Sequence, residues 1–164
     1  MAQLVKVKIT PALKRLASKV SALAVPIDRQ TARQAGALTI ELMKSRIASG
    51  NSPIKGKGKF PKYKNPSRYP GSRKPKSPVN LHLTGQMLRW LRTKPEKTRF
   101  GWTFVVGYFN DLAAKKEDGH AKGVNKQPKR PTIPNSRQEF VGPITTAYLK
   151  IFRERIRKII RKPL

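Results

Sequence analysis

The stretch TRFGWTFVVGYF, residues 98–109, decides the fold. From Thr98 onward the pattern repeats every two residues. Phe100, Trp102, Phe104, Val106 and Tyr108 fall on one face, and Arg99, Gly101, Thr103, Val105 and Gly107 on the other. Such a stretch is a β-strand with an aromatic buried face, and a face of that size needs a cover. The chain offers one helix on each side of it. Upstream, Asp28 caps a helix whose residues Ala32, Ala35, Ile40, Met43 and Ile47 lie close to one face, and Ser49-Gly50 ends it. Downstream, Phe140 leads to Pro143 at a first helical position. Ile144, Tyr148, Ile151, Phe152, Ile156, Ile159 and Ile160 then form an apolar stripe, while Lys150, Arg153, Arg155, Arg157, Lys158, Arg161 and Lys162 face out. The expected fold is α+β: a small, mostly antiparallel sheet packed by two or three helices, those at 29–48 and 144–161 foremost, with long extended basic loops or arms.

The remaining segments attach to this centre. Val5, Val7 and Ile9 alternate with lysines as a short strand, and Thr10-Pro11 opens a helix through Leu13, Leu16, Val20 and Leu23. Between 52 and 80 the prolines at 53, 61, 66, 70, 75 and 78 exclude any continuous helix. Order returns at Leu81-His82-Leu83, followed by a helical turn or two through Met87, Leu88 and Leu91. Residues 110–139 read as a second polar loop, rich in Lys and Pro. One domain over 1–164 is expected, with its core in 28–50 and 81–162, an extended arm at 52–80 and a polar loop at 110–139.

Charge points to the class of partner. Thirty-seven Lys and Arg stand against eight Asp and Glu, a net charge of +29, far more than solubility requires, so a polyanionic partner is expected. The chain has no cysteine, which removes disulfides, thiolate metal sites and thiol nucleophiles. No apolar run approaches the roughly 20 residues of a membrane span, and the start MAQLVKVKIT lacks the apolar region of a signal peptide. A soluble protein made in the cytoplasm, with no membrane partner, is the expectation.

Candidate chemistry concentrates in the 52–80 arm, which holds nine Lys and Arg, six prolines and no acid. Its basic residues are Lys55, Lys57, Lys59, Lys62, Lys64, Arg68, Arg73, Lys74 and Lys76, interleaved with Phe60, Tyr63 and Tyr69. Cations with stacking rings suit single-stranded nucleic acid. Equally, the rings can anchor an extended arm on a neighbouring subunit while the lysines stay solvated or meet acidic side chains, and this second reading is the one favoured here. GKGK at 56–59 lacks the spacing of a phosphate-binding loop. Glu117-Asp118 with His120 is the single acid–histidine cluster, and in a polar loop it reads as surface polarity. His82, between two leucines, reads as a sheet-edge or interface residue. No enzyme activity, catalytic residue, metal or cofactor is expected.

Four landmarks follow in order: LTGQMLRWL at 83–91, FVVGYF at 104–109, AAKKEDG at 113–119 and RPTIPNSRQEFVGP at 130–143. Together they resemble the tail-completion and head-to-tail joining proteins of tailed bacteriophages, the virion morphogenesis or minor tail protein family. Thr84, Gly85 and Leu88 match that family's turn, Val106, Gly107 and Tyr108 its strand end, Ala113, Ala114, Glu117 and Gly119 its loop, and Arg137, Phe140 and Gly142 its final motif. Lys116 stands where the family tends to have histidine, and the proline-rich insertion is long. The resemblance implies a structural protein of the virion, assembled in the host cytoplasm and forming a homo-oligomeric ring at the neck or upper tail. Its implied partners are phage connector, neck and tail proteins, with DNA passing through the channel. The matched residues then act as structural determinants, the glycines supplying tight turns or close backbone approach and Phe140 plugging the core. The alternative from composition alone is a basic protein that binds nucleic acid non-specifically.

Overall fold

A computed structural model describes residues 27–62, 79, 81, 86–99, 101–123, 128–135 and 137–160. In it the aromatic alternation forms half of an antiparallel hairpin packed against helices, an α+β fold. Helix α1 (Arg29–Ala48) runs as the sequence predicts. Asp28 caps it, accepting from the Thr31 N–H at 2.8 Å and the Thr31 hydroxyl at 3.1 Å, and also meets Arg155 Nε at 2.7 Å. Burial pushes the Asp28 carboxyl up, but these hydrogen bonds and the Arg155 charge together hold it below its ordinary value. A short helix α2 (Gln86–Arg89) precedes strand β1 (Leu91–Thr98), which pairs with β2 (Gly101–Tyr108) from Leu91 opposite Tyr108 to Thr98 opposite Gly101.

Two expectations change at the hairpin. Leu91 opens a strand instead of closing a helical turn, and Thr98 ends β1 instead of opening β2. Gly101, at φ 106°, accommodates the reversal between them. The polar sequence LRTKPEKT owes its extended form to the backbone partners β2 presents, and Pro95 is tolerated at a sheet edge. Thr93 and Phe104 share the face toward α1. At Gly36 of α1 a Cβ would lie 2.6 Å from Thr93 Oγ1, so the glycine sets how closely helix and hairpin approach. On the opposite face, the Thr103 hydroxyl is buried without a hydrogen-bond partner.

Within the expected polar loop at 110–139 lies helix α3 (Asp111–Lys122). Asn110 caps it through Ala113 N–H, and Gly123 ends it in the left-handed conformation. Helix α4 (Gly142–Ile160) begins at the expected place, buries Ile144, Tyr148, Phe152 and Ile156, and packs along α1. It reaches β2 through Phe104, which meets Tyr148 edge-on at 5.7 Å and stacks on Phe152 at 6.3 Å.

The boundary between core and arm also moves. Ser52, Pro53, Ile54 and Phe60 are buried; Lys55 N–H donates to Glu139 O and Val141 N–H to Pro53 O, tying this segment to distant chain, while Phe60 N–H returns to Gly50 O just past the end of α1. The first part of the arm is therefore core. The expected strand at 5–9 and helix through 23, the arm from 63 to 78, and His82, Thr84, Gly85 and Phe100 lie outside the described residues.

Candidate binding surface and the buried network behind it

Glu117 departs furthest from its expected place on the surface. It is 4% exposed, and its carboxylate accepts from Thr132 N–H at 2.7 Å, the Thr132 hydroxyl at 2.7 Å and Ile133 N–H at 3.2 Å. The Tyr108 hydroxyl, 2.8 Å from Thr132 Oγ1, extends the network into β2. With the Thr132 proton directed at Glu117, Tyr108 donates to Thr132, and a tyrosine, a threonine and a carboxylate join strand, helix and the 130–134 segment. Burial pushes Glu117 up to about 7, against the pull of its three donors, and Asp118 beside it adds to the rise. Burial raises Tyr108 as well, as does the Glu117 charge. Asp118 pairs with Lys122 at 2.8 Å, apart from the buried Glu117 carboxylate, and the His120 backbone carbonyl accepts Arg130 N–H at 2.7 Å. Among the described residues no group of three or more His, Asp or Glu gathers where a metal ion could sit.

The other motif residues are framework. Phe140 is buried beside α4, Leu88 packs on the core's margin, and Gly107 is buried in β2 opposite Arg92. Two glycines do not play the expected part. Gly119 lies inside α3, its carbonyl accepting Gly123 N–H, and Gly142 has open space where a Cβ would stand. Arg137 is exposed, with its N–H held by Asn135 Oδ1.

Of the proposed arm anchors, Phe60 is 6% exposed within this chain's own core, which corrects its assignment to a neighbouring subunit: a ring already buried has no surface to offer. Tyr63, Tyr69, Lys64, Arg68, Arg73, Lys74 and Lys76 lie outside the described residues. Lys55, Lys57, Lys59 and Lys62 are exposed around the turn that Phe60 closes. Lys55 approaches Glu139 at 3.8 Å, a solvated pair worth little. Arg130, 2% exposed, fastens the end of this segment from beneath, its guanidinium donating to the carbonyls of Pro61 and Lys62, each at 2.9 Å. A second cationic surface is the outer side of α4, where Lys150, Arg153, Arg155, Arg157 and Lys158 are exposed as expected.

A third surface, on the hairpin, stacks cations on aromatic rings. Arg92 lies over the Trp90 ring at 5.1 Å, and Lys94 over Phe109 at 4.9 Å, on the face of the hairpin opposite α1. The alternation Trp90, Arg92, Lys94 is its signal in the sequence, masked by the polar composition and Pro95 of β1. No family model, curated protein or solved structure matches the chain.

Proposed function

We propose that the protein is a structural component of a tailed-phage particle, a ring-forming tail-completion or head-to-tail joining protein at the neck or upper tail. The observation that carries the reading is the Tyr108–Thr132–Glu117 network. It links three of the four sequence landmarks of the resemblance in space, across 24 residues of chain from Tyr108 to Thr132. Landmarks that meet in one buried network, with Phe140 of the last of them in the hydrophobic core, behave as determinants of a shared fold. Solvated lysines around 55–62 and on α4 supply charge complementarity toward acidic neighbours or channel DNA.

A second reading, non-specific binding of nucleic acid, draws on the exposed lysines at 55–62 and the cationic outer side of α4. Light scattering on the purified protein at about 150 mM salt, with and without short duplex DNA, separates the two, because phosphate binding weakens steeply with salt. A closed oligomer, or a monomer indifferent to DNA, agrees with the assembly role. A monomer that coats duplex, with affinity collapsing as salt rises, overturns it.

A further inference from the structure

Two large hydrophobic side chains stand exposed among the described residues, Trp90 at 38% and Leu112 at 58%. Both line the same cleft. Its volume is about 410 Å³, and it lies between α2, the start of β1 and the first turn of α3. The buried side chains of Met87 and Ala113 close its base. Arg89, Arg92 and Lys116 stand around it, and none of the chain's eight carboxylates is in its lining. Two carboxylates adjoin the lining in sequence: Asp111, exposed at the first position of α3, and Glu117, buried and held by Thr132.

These properties limit the occupant. Exposed apolar walls above an apolar base favour an inserted apolar side chain, and the volume suits one or two such groups rather than a length of backbone. Three cations, with the positive end of α3 beside them, require negative charge next to that side chain. A nucleic acid strand satisfies the charge but makes poor use of Leu112, and one face of the Trp90 ring is already covered by Arg92. We propose that this cleft docks an acidic segment of a partner protein, which inserts one leucine or phenylalanine side chain between Trp90 and Leu112 and sets carboxylates against Arg89, Arg92 and Lys116. The identification of the partner as an assembly neighbour rests on the function proposed above; the chemistry of the cleft does not.

The test is fluorescence anisotropy with the full chain at about 150 mM salt and three labelled probes. These are an Asp/Glu-rich peptide containing one leucine, the same peptide with that leucine replaced by serine, and an oligothymidylate of matching charge. The leucine peptide is expected to bind at least about tenfold more tightly than the serine peptide. Leu112→Ser and Arg92→Glu should each erase most of that difference, while the double change Arg153→Glu and Arg157→Glu on α4 should leave it intact. Circular dichroism verifies that each variant folds, and Lys116→Glu replaces Arg92→Glu if the latter does not. Equal binding of both peptides, or a leucine preference that survives Leu112→Ser, overturns the proposal. So does tighter binding of the oligothymidylate that depends on Trp90 and Leu112. If the cleft fails this test while the protein still forms closed rings, the assembly role stands without it. If the leucine preference holds but the protein is a monomer that coats DNA, the cleft stands and the assembly role falls.

Discussion

Replacing Glu117 perturbs the fold in two separable ways. Glu117→Ala strips the acceptor from Thr132 N–H, Ile133 N–H and the Thr132 hydroxyl, all buried. Breaking a buried charged hydrogen-bond centre costs about 3–5 kcal/mol, a large share of the roughly 5–15 kcal/mol by which a domain is stable. Glu117→Gln keeps the shape. Its carbonyl can serve the two N–H groups, while its amide donates to Thr132 Oγ1, whose own proton turns toward Tyr108. The charge is then the main difference, and its effect depends on pH. The native state holds the Glu117 proton up to about 7, whereas the unfolded chain releases it near 4.5. Below 4.5 both states are protonated and Glu117 costs nothing as an acid. Between 4.5 and 7 that stability is lost, and above 7 the loss is complete, about 3 kcal/mol for a gap of this size. Guanidinium unfolding of wild type and Glu117→Gln from pH 5 to pH 8 reads the difference directly, with ionic strength held high. The glutamine variant should gain on wild type as pH rises from 5 to about 7 and then level off. A flat difference, or wild type gaining instead, would show that the three donors balance or outweigh burial and refute the reasoning.

Other changes test the packing. Gly36→Ala should destabilise by about 1–2 kcal/mol, because overpacking against Thr93 exceeds the roughly 1 kcal/mol gained in helix propensity, and Thr93→Ala in the same chain should recover part of it in thermal unfolding. Phe60→Ala should cost about 3–5 kcal/mol in the isolated chain; a loss of assembly with unchanged unfolding would instead return Phe60 to a neighbour's surface. Thr103→Val should stabilise by about 1 kcal/mol in the same assay, since it removes a buried hydroxyl with no partner.

Periodicity made some of this legible in the sequence. Helices α1 and α4 carry apolar stripes with Asp28 and Pro143 at their starts, and β2 alternates, so each declares itself locally. Strand β1 does not, since Pro95 and its charged residues are held extended by pairing with β2, a fact of the partner and not of the segment. Helix α3 buries only Ala113 and Glu117, too few to make a stripe, although Asn110 and Gly123 are readable caps. Glu117 itself shows why a buried carboxylate escapes such reading: its burial is set by Thr132 and Ile133, which reach it only after the chain has turned back. The cleft was missed for the same reason, because Trp90 and Leu112 meet only when α2 and α3 are brought together.

The seat of residues 52–62 gives the protein a timetable. Ser52 donates to the Pro131 carbonyl across 79 residues, and Arg130 grips Pro61 across 69. At roughly 5–20 residues per second, a ribosome takes on the order of 4–16 s to make the chain between them. For that interval Ile54 and Phe60 have left the tunnel with their lid still unmade, beside a cluster of lysines. Charge of that density repels like chains, which works against contact between those side chains until residues 130–141 arrive to cover them.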